Sequence, residues 1–321
     1  MNEPCEHLKL ALQRARQEIA KVMIGQTSII DACLICIVTG QHALIEGVPG
    51  VGKTLLVKTL ARVLGCEFNR IQFTPDLMPG DITGTNIFDL KKNEFSLLKG
   101  PIFTTFLLGD EINRAPAKTQ SATLQAMQER KVSIDRVTYP LDENFTFFAT
   151  QNPQDHEGTY PLPEAQKDRF MFCLKMFPMD RAQELILAES MLGVHPPEQV
   201  LESDSVEVVL DLAKLKHLRE GLQSVDVKNE ILTYIVDIVR ETRQSDWVLV
   251  GGGPRATQHF VLASRVHAIL DDRDFVIPED IQALAPNILE HRIILKPEVE
   301  VEGIRVAEVV QRILKKIPVP R

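Results

Sequence analysis

The segment Gly47–Thr54, with the sequence GVPGVGKT, decides the fold. It matches G-x-x-x-x-G-K-[ST], the pattern of a phosphate-binding loop. Residues 42–46 before it, with the apolar centre Ala43–Ile45, predict a short buried strand, and residues 55–64 after it predict a helix that ends at Gly65. A loop between a strand and a helix can present backbone amides and the positive end of the helix dipole to phosphate oxygens.

Two side chains of this loop have separate expected roles. Lys53 would reach the β- and γ-phosphates of a nucleotide, and the hydroxyl of Thr54 would bind Mg²⁺. A glycine turn that matches the pattern by chance is the alternative, and the flanking strand and helix disfavour it. The expected nucleotide-binding residues here are Gly47, Pro49, Gly50, Val51, Gly52, Lys53, Thr54 and Leu55.

The bulk composition is that of an ordinary globular protein. The chain has 321 residues, enough for two domains, and a net charge of −8. This acidic balance disfavours general binding to nucleic acid or to acidic membranes. No apolar run approaches the roughly 18 residues that a membrane-spanning helix needs, and the first residues do not resemble a signal peptide. We therefore expect a cytoplasmic protein that is not inserted in a membrane.

Polar residues follow two further apolar strands. Residues 103–108 form a predicted buried strand that leads into Asp110 and Glu111. In a chain with a phosphate-binding loop, Asp110 would hold Mg²⁺ through water and Glu111 would orient and polarise the attacking water. Residues 145–150 predict another buried strand, and Asn152 follows it. Since ligands collect at the carboxyl ends of parallel strands, Asn152 is expected beside the γ-phosphate.

The order of strands and helices predicts an α/β fold with a parallel sheet of about five strands. We assign residues 1–178 to this core, with hairpin inserts near 77–99 and 131–141. Residues 179–321 form a second, helical domain, with a short strand pair in its tail at 292–295 and 300–302 and a last helix that ends near Lys316. Cys33 and Cys36 have C-x-x-C spacing, but their apolar surroundings favour packing inside a helix over a redox or metal role. The helices expected in the second domain span residues 180–192, 205–222, 226–243, 255–271 and 278–290.

Taken together, the motifs resemble the MoxR family of AAA+ ATPases. The resemblance covers nearly the whole chain, and its most specific parts are ATQNP at 149–153 and EGTYPLPEAQKDRF at 157–170. LGDEINRAP at 108–116 and the phosphate-binding loop itself also match. The implied fold is a phosphate-loop core with a parallel five-stranded sheet, followed by a helical lid.

The resemblance also implies roles for single residues. Asn152 would be sensor 1, and Arg169 would be an arginine finger that completes the site of a neighbouring subunit. Arg255 would be sensor 2, which swings with the lid onto the γ-phosphate, and Ile24 and Gly25 would flank the adenine.

Two of these assignments have alternatives. A salt bridge from Arg169 to Asp168 or Glu164 within one subunit would leave it no role in a neighbouring site. Whether Arg114 also faces the neighbour stays open.

The implied activity is ATP hydrolysis, with ATP and Mg²⁺ bound in a hexameric ring. Such a ring would drive chaperone-like remodelling, maturation or metal-cofactor insertion of a protein client, often with a partner that carries a von Willebrand factor A domain. A DNA-directed motor is one alternative, which Lys91, Lys92, Lys131 and Arg136 support and the acidic balance disfavours. An ATP-gated scaffold with incidental hydrolysis is the other, and the intact set of Glu111, Asn152 and Arg169 disfavours it.

Overall fold

The structure of the protein, a computed structural model, describes residues 3–91, 93–153, 159–193, 196–203, 205–210, 215–216 and 219–320. The described strands are β1 Ala43–Glu46, β2 Phe68–Gln72, β3 Gly84–Asp89, β4 Glu94–Lys99, β5 Phe106–Asp110, β6 Lys131–Ile134, β7 Val137–Pro140, β8 Thr146–Gln151, β9 Phe172–Lys175, β10 Val248–Val250 and β11 Ile294–Leu295. The described α-helices are α1 Glu3–Ala20, α2 Thr27–Thr39, α3 Lys53–Val63, α4 Pro79–Thr83, α5 Ala117–Glu129, α6 Glu164–Lys167, α7 Arg181–Leu192, α8 Pro197–Glu202, α9 Asn229–Gln244, α10 Pro254–Leu270, α11 Pro278–Leu289, α12 Pro297–Val301 and α13 Val306–Lys316.

A five-stranded parallel sheet organises the core, in the order β2-β5-β8-β1-β9. The register pairs Glu46 with Gln151 and Gln72 with Asp110, so the carboxyl ends of these strands share one edge. Successive residues of β5 face opposite sides of the sheet: Leu108 packs in the apolar cluster on one face, and Leu107 packs in the cluster on the other. Strands covered on both faces have apolar side chains at almost every position, which explains the continuous apolar runs of the sequence. The predicted α/β fold is confirmed.

The amino-terminal helices cover one face of this sheet. Helix α1 buries Leu8, Leu12, Ala15 and Ile19, whose spacing places them on one face of the helix. Helix α2 is apolar around most of its circumference, and it buries Cys33 and Cys36 completely, as expected for packing residues. Burial raises the pKa of both thiols, so neither has the thiolate character that redox or metal chemistry requires.

Both predicted inserts are antiparallel hairpins, β3–β4 and β6–β7. The second turns at Asp135 and Arg136, which have φ of 47° and 72°. Two successive positive φ values are typical of a type I′ turn, the two-residue turn whose twist matches that of the flanking strands. Lys92, one of the four basic residues named for the DNA-directed alternative, lies outside the described residues.

The helical domain agrees with the sequence in its long helices, and α7, α9, α10 and α11 match their predicted spans within a few residues. The helix predicted over 205–222 is wrong at 206–210. There the backbone runs without helical structure, and the Val209 amide donates to the Val63 carbonyl at 2.8 Å. Residues 211–214 and 217–218 of that prediction lie outside the described residues. The short helix α8 was not predicted.

The predicted tail strands are also wrong as a pair. Ile294–Leu295 pairs with Val248–Val250 instead, in an antiparallel arrangement. Residues 300–302 close the helix that begins at Pro297, a residue whose fixed φ suits the first helical position. The last helix ends at Lys316, as expected. The predicted domain boundary at 178–179 falls in the irregular segment between β9 and α7 and stays a prediction.

Across the described ranges of the chain, no helix combines the length and apolar character that crossing a bilayer requires.

Gly109 provides a test of how β5 packs against the apolar cluster that contains Leu107, Phe73 and Phe147. A Cβ added there would lie 2.7 Å from the ring of Phe147 and 2.8 Å from that of Phe73. Gly109→Ala should therefore lower the free energy of unfolding by roughly 1–3 kcal/mol, because the rings must shift in a filled core. The measurement is chemical denaturation. Gly193→Ala is the matched control, since its Cβ would meet its nearest neighbour at 3.8 Å. Equal stability of the two variants would contradict this packing.

Candidate nucleotide-binding site

The loop Gly47–Thr54 connects β1 to the first turn of α3. Gly50 and Gly52 have φ of 85° and 89°, in the left-handed region that glycine adopts at low cost. A side chain at Gly47 would place its Cβ 2.8 Å from the carbonyl oxygen of Met176. The local backbone therefore requires these glycines, and it directs the amino end of an 11-residue helix toward the loop.

Lys53 lies over its own loop. Its ammonium group donates to the carbonyl of Gly47 at 2.6 Å and to that of Val48 at 3.1 Å. These are neutral acceptors, and a phosphate would be a stronger one. Lys53 is therefore placed to exchange backbone carbonyls for phosphate oxygens without leaving the loop.

The two predicted metal ligands lie next to each other. The hydroxyl of Thr54 is 3.5 Å from Oδ2 of Asp110, a carboxylate buried at the end of β5. Arg70 donates to the same oxygen at 2.5 Å, and Thr150 donates to Oδ1 at 3.1 Å. A hydroxyl and a carboxylate are the hard oxygen donors that Mg²⁺ prefers, so these residues fit the expected ion. The sequence analysis missed Arg70, which lies among ordinary strand residues.

Glu111 adopts a left-handed backbone conformation, with φ of 58°. Its amide donates to the hydroxyl of Thr150 at 3.0 Å, so one hydroxyl contacts both acidic residues. Its carboxylate accepts from Gln72 at 2.9 Å and from Arg114 at 3.0 Å. Arg114, whose orientation the sequence left open, thus contacts the acidic residue of its own chain.

Asn152 follows β8 and lies beside the start of the loop. The Gly47 amide donates to the carbonyl of Gln151 at 3.3 Å, which places the next residue at the same edge. The Asn152 side chain is almost completely buried. Its position agrees with the predicted place beside a γ-phosphate, and its role stays a prediction.

A mostly apolar cavity of about 430 Å³ adjoins the loop. Ile24 lines this cavity, and Gly25, with φ of 71°, turns the chain next to it. Their contact with an adenine stays a prediction. Helix α7 contributes Leu187 and Met191, which sequence reasoning missed because apolar residues on a helix carry no signal of a ligand. An apolar slot next to a phosphate-binding loop suits a flat heteroaromatic base. Its lining consists of Val22, Met23, Ile24, Gln26, Gly50, Val51, Gly52, Leu55, Met179, Leu187, Met191, Pro197 and Glu198.

Arg169 and Arg255 lie at the opposite edge of the sheet. Arg169 precedes β9, whose first residue pairs with the first residue of β1. Both arginines line a cavity of about 150 Å³ together with His42, which precedes β1. Four residues of strand, roughly 13 Å, separate this edge from the phosphate-binding loop. In this conformation Arg255 therefore lies away from the phosphate-binding loop of its own chain, and its role as sensor 2 stays a prediction.

Asp168 is the acidic partner at this edge. It accepts from Arg255 at 2.8 Å and from Arg292 at 2.8 Å. Burial alone would raise the pKa of Asp168, but the hydrogen bonds and charges of the two arginines outweigh burial and hold it below its ordinary value. Within the described ranges, no ion pair joins Arg169 to Asp168 or to Glu164. The single-subunit salt bridge considered for Arg169 is therefore not formed.

The two histidines that line the cavity of about 150 Å³ are neutral. Burial, with the charge of Arg130, lowers the pKa of His42 to about 3. Burial, with the charge of Arg292, lowers the pKa of His259 to about 3. The positive charge of the second cavity therefore comes from its arginines.

A phosphate-binding loop, an acidic pair at the end of the neighbouring strand and a helical lid define an ATPase of the AAA+ class. Residues 42–172 match the ATPase family associated with various cellular activities (AAA), and residues 240–313 match the AAA lid domain. Glu157 and Gly158, the first two residues of the motif at 157–170, lie outside the described residues.

Full-length relatives identify the family. The chain is 40% identical to chaperone MoxR1 of Mycobacterium tuberculosis, over 97% of this chain and 82% of that protein. It is 30% identical to protein MoxR of Methylorubrum extorquens, over 97% of this chain and 95% of that protein. A crystal structure of a protein from Cytophaga hutchinsonii superposes with a TM-score of 0.90 at 39% identity, covering 99% of this chain and 98% of that one. The chain belongs to the MoxR family of AAA+ ATPases.

Thr150 tests the arrangement of the acidic pair. Thr150→Val keeps the shape of the buried side chain but removes the hydroxyl that contacts Asp110 and Glu111. We expect the kcat for ATP to fall about tenfold, the effect of losing one hydrogen bond to a charged group. Steady-state ATP turnover is the measurement, and Thr150→Ser, which retains the hydroxyl, is the control. Wild-type turnover by Thr150→Val would show that this hydroxyl does not position the pair.

Proposed function

We propose that this chain is a Mg²⁺-dependent ATPase whose active sites are shared between neighbouring subunits of a ring. One observation carries the proposal: the phosphate-binding loop and Arg169 lie at opposite edges of the same sheet. A rigid sheet keeps the two apart within one chain. A second copy whose Arg169 edge meets the loop edge of the first would bring them together.

Such a contact joins two different surfaces of the same chain. A contact of this type repeats from copy to copy, and it closes into a ring when the rotation between copies allows. The family resemblance favours six subunits. Because Arg255 lies at the same edge as Arg169, we propose that both arginines serve the neighbour's nucleotide.

Each of the site residues then has a role in hydrolysis. Lys53 binds the β- and γ-phosphates, and Thr54 and Asp110 hold Mg²⁺, which neutralises phosphate charge when it is bound. Glu111 orients and polarises the attacking water after it exchanges Gln72 and Arg114 for that water. The neighbour's Arg169 stabilises the charge that develops on the transferred phosphoryl group, an effect worth roughly 10³–10⁵ in rate in other systems.

The client is proposed to be a protein. One relative is named a chaperone, and the first hairpin of this chain exposes the apolar side chains of Ile87, Phe88, Phe95 and Leu98. Phe88 and Phe95 form an edge-to-face pair, with ring centroids 5.1 Å apart. Exposed apolar side chains suit a partly unfolded polypeptide better than the phosphates of DNA. A von Willebrand factor A domain partner and metal-cofactor insertion rest on the family resemblance alone.

If active sites are shared between subunits, the rate of ATP hydrolysis per protomer should depend on protein concentration. ATP turnover per protomer should rise with concentration as subunits associate, and Arg169→Ala should stay low at every concentration because no copy can complete its neighbour. Coupled ATPase assays over a dilution series, with oligomer size followed by light scattering, are the measurement. Constant turnover per protomer, equal in both proteins, would contradict the proposal and favour a scaffold with a site complete in one chain.

A further inference from the structure

A buried arginine of the lid holds the segment that carries Arg169. Arg292 follows α11, and only 2% of its side chain is exposed. It donates to the carbonyls of Asp168 at 3.0 Å, Phe170 at 2.6 Å and Met171 at 3.3 Å. These three carbonyls bracket Arg169, so a single guanidinium fixes the backbone on both sides of it.

The same guanidinium also fixes Arg255 through a carboxylate. Nε of Arg292 donates to Oδ1 of Asp168 at 2.8 Å, and Oδ2 of that carboxylate accepts from Arg255 at 2.8 Å. Nη1 also donates to the carbonyl of Ile288. Nη2 lies 2.8 Å from Nδ1 of His259, so its two hydrogens are shared among that nitrogen and the carbonyls of Asp168 and Phe170. Asp168 therefore links the buried arginine to the partly exposed one.

We infer that Arg292 is a positioning residue that places Arg169 and Arg255 for the nucleotide site of the neighbouring subunit. The inference rests on the proposed sharing of sites. Arg292 contacts neither the phosphate-binding loop nor the lining of the 430 Å³ cavity in the described chain. Arg292 acts at the opposite edge of the sheet, where it holds the backbone of residues 168–171.

Only an arginine can make this set of contacts. Its planar fork carries five N–H donors, whereas the ammonium of a lysine has three donors at a single point. Burial lowers the pKa of Arg292 to about 10 despite the opposing charge of Asp168, so the group remains charged at neutral pH. Lysine at this position would keep the charge beside Asp168 and lose most of the bonds to the backbone.

Because Arg292 belongs to the lid and Asp168–Met171 to the core, the contact also couples the two domains. A lid movement would pull on the segment that carries Arg169. The other role compatible with these contacts is simple joining of lid and core, which would affect a chain's own site as much as its neighbour's. The test separates these roles.

Arg292→Lys is the first variant. We expect kcat for ATP to fall at least about tenfold while KM changes by no more than about twofold, because the variant's own nucleotide cavity is untouched. Arg219→Lys is the matched control. Arg219 is less buried than Arg292, and it donates to two carbonyls, those of Val38 and Ile37, but it does not contact residues 168–171. It should retain near wild-type kinetics.

Mixed rings test the direction of the effect. Arg292→Lys has an intact loop edge and an altered arginine edge, and Lys53→Ala has an intact arginine edge and an altered loop edge. A ring built from either variant alone therefore has no complete site. Co-assembled in equal amounts, they should recover up to about a quarter of wild-type activity, the fraction of contacts that join an intact loop to an intact arginine edge. Arg169→Ala co-assembled with Lys53→Ala should recover similarly and is the reference for shared sites.

Every outcome is decisive. Recovery in both mixtures supports the inference. Recovery with Arg169→Ala but not with Arg292→Lys, or wild-type kinetics of Arg292→Lys alone, overturns it while the shared site stands. No recovery in either mixture refutes the shared site and the inference with it. If Arg292→Lys fails to bind nucleotide, Asp168→Asn replaces it in the same mixture, because its half-buried carboxylate can be neutralised without a change of shape.

Discussion

The parallel pairing of β1 with β8 and β9 is the constraint on which the rest of the structure depends. It places the carboxyl ends of β1 and β8 together, so Lys53 and Asn152 follow neighbouring strands at one edge. It also places the amino ends of β1 and β9 together, which puts Arg169 at the other edge. A parallel sheet buried on both faces cannot shorten this separation, since its spacing is set by the strand itself. The proposal of shared sites follows from this geometry.

The arginine edge contains a concentration of buried and half-buried charge. Removing Asp168 and Arg292 from water costs free energy, and a buried ion pair offsets that cost only when its other donors and acceptors are also satisfied. The structure meets this condition, because the four further N–H groups of Arg292 are shared among four carbonyls and Nδ1 of His259. Such a network contributes little net stability but specifies one arrangement of the segment before β9. In this protein the network fixes the backbone on both sides of Arg169.

Local sequence signals marked the loop edge, whereas Arg169 and Arg255 of the arginine edge were named only through the family resemblance. The signals of the loop edge are local: glycines at fixed spacing, an acidic pair directly after an apolar strand, and alternation or helical period within single elements. The errors at 206–210 and 292–302 arose where the partner is distant, since residue 209 bonds to Val63 and Ile294–Leu295 pairs with Val248–Val250. Arg292 escaped notice for the same reason, because its acceptor Asp168 lies 124 residues earlier in the chain.

The most direct test of the shared site is a structure of the assembled protein with Mg²⁺ and a non-hydrolysable ATP analogue, determined by electron cryomicroscopy. The account predicts a guanidinium nitrogen of Arg169 about 3 Å from a γ-phosphate oxygen bound at Lys53 of the adjacent subunit, the distance of a charge-assisted hydrogen bond. A γ-phosphate contacted only by residues of the chain that binds it, with Arg169 still directed away from every nucleotide, would contradict the account.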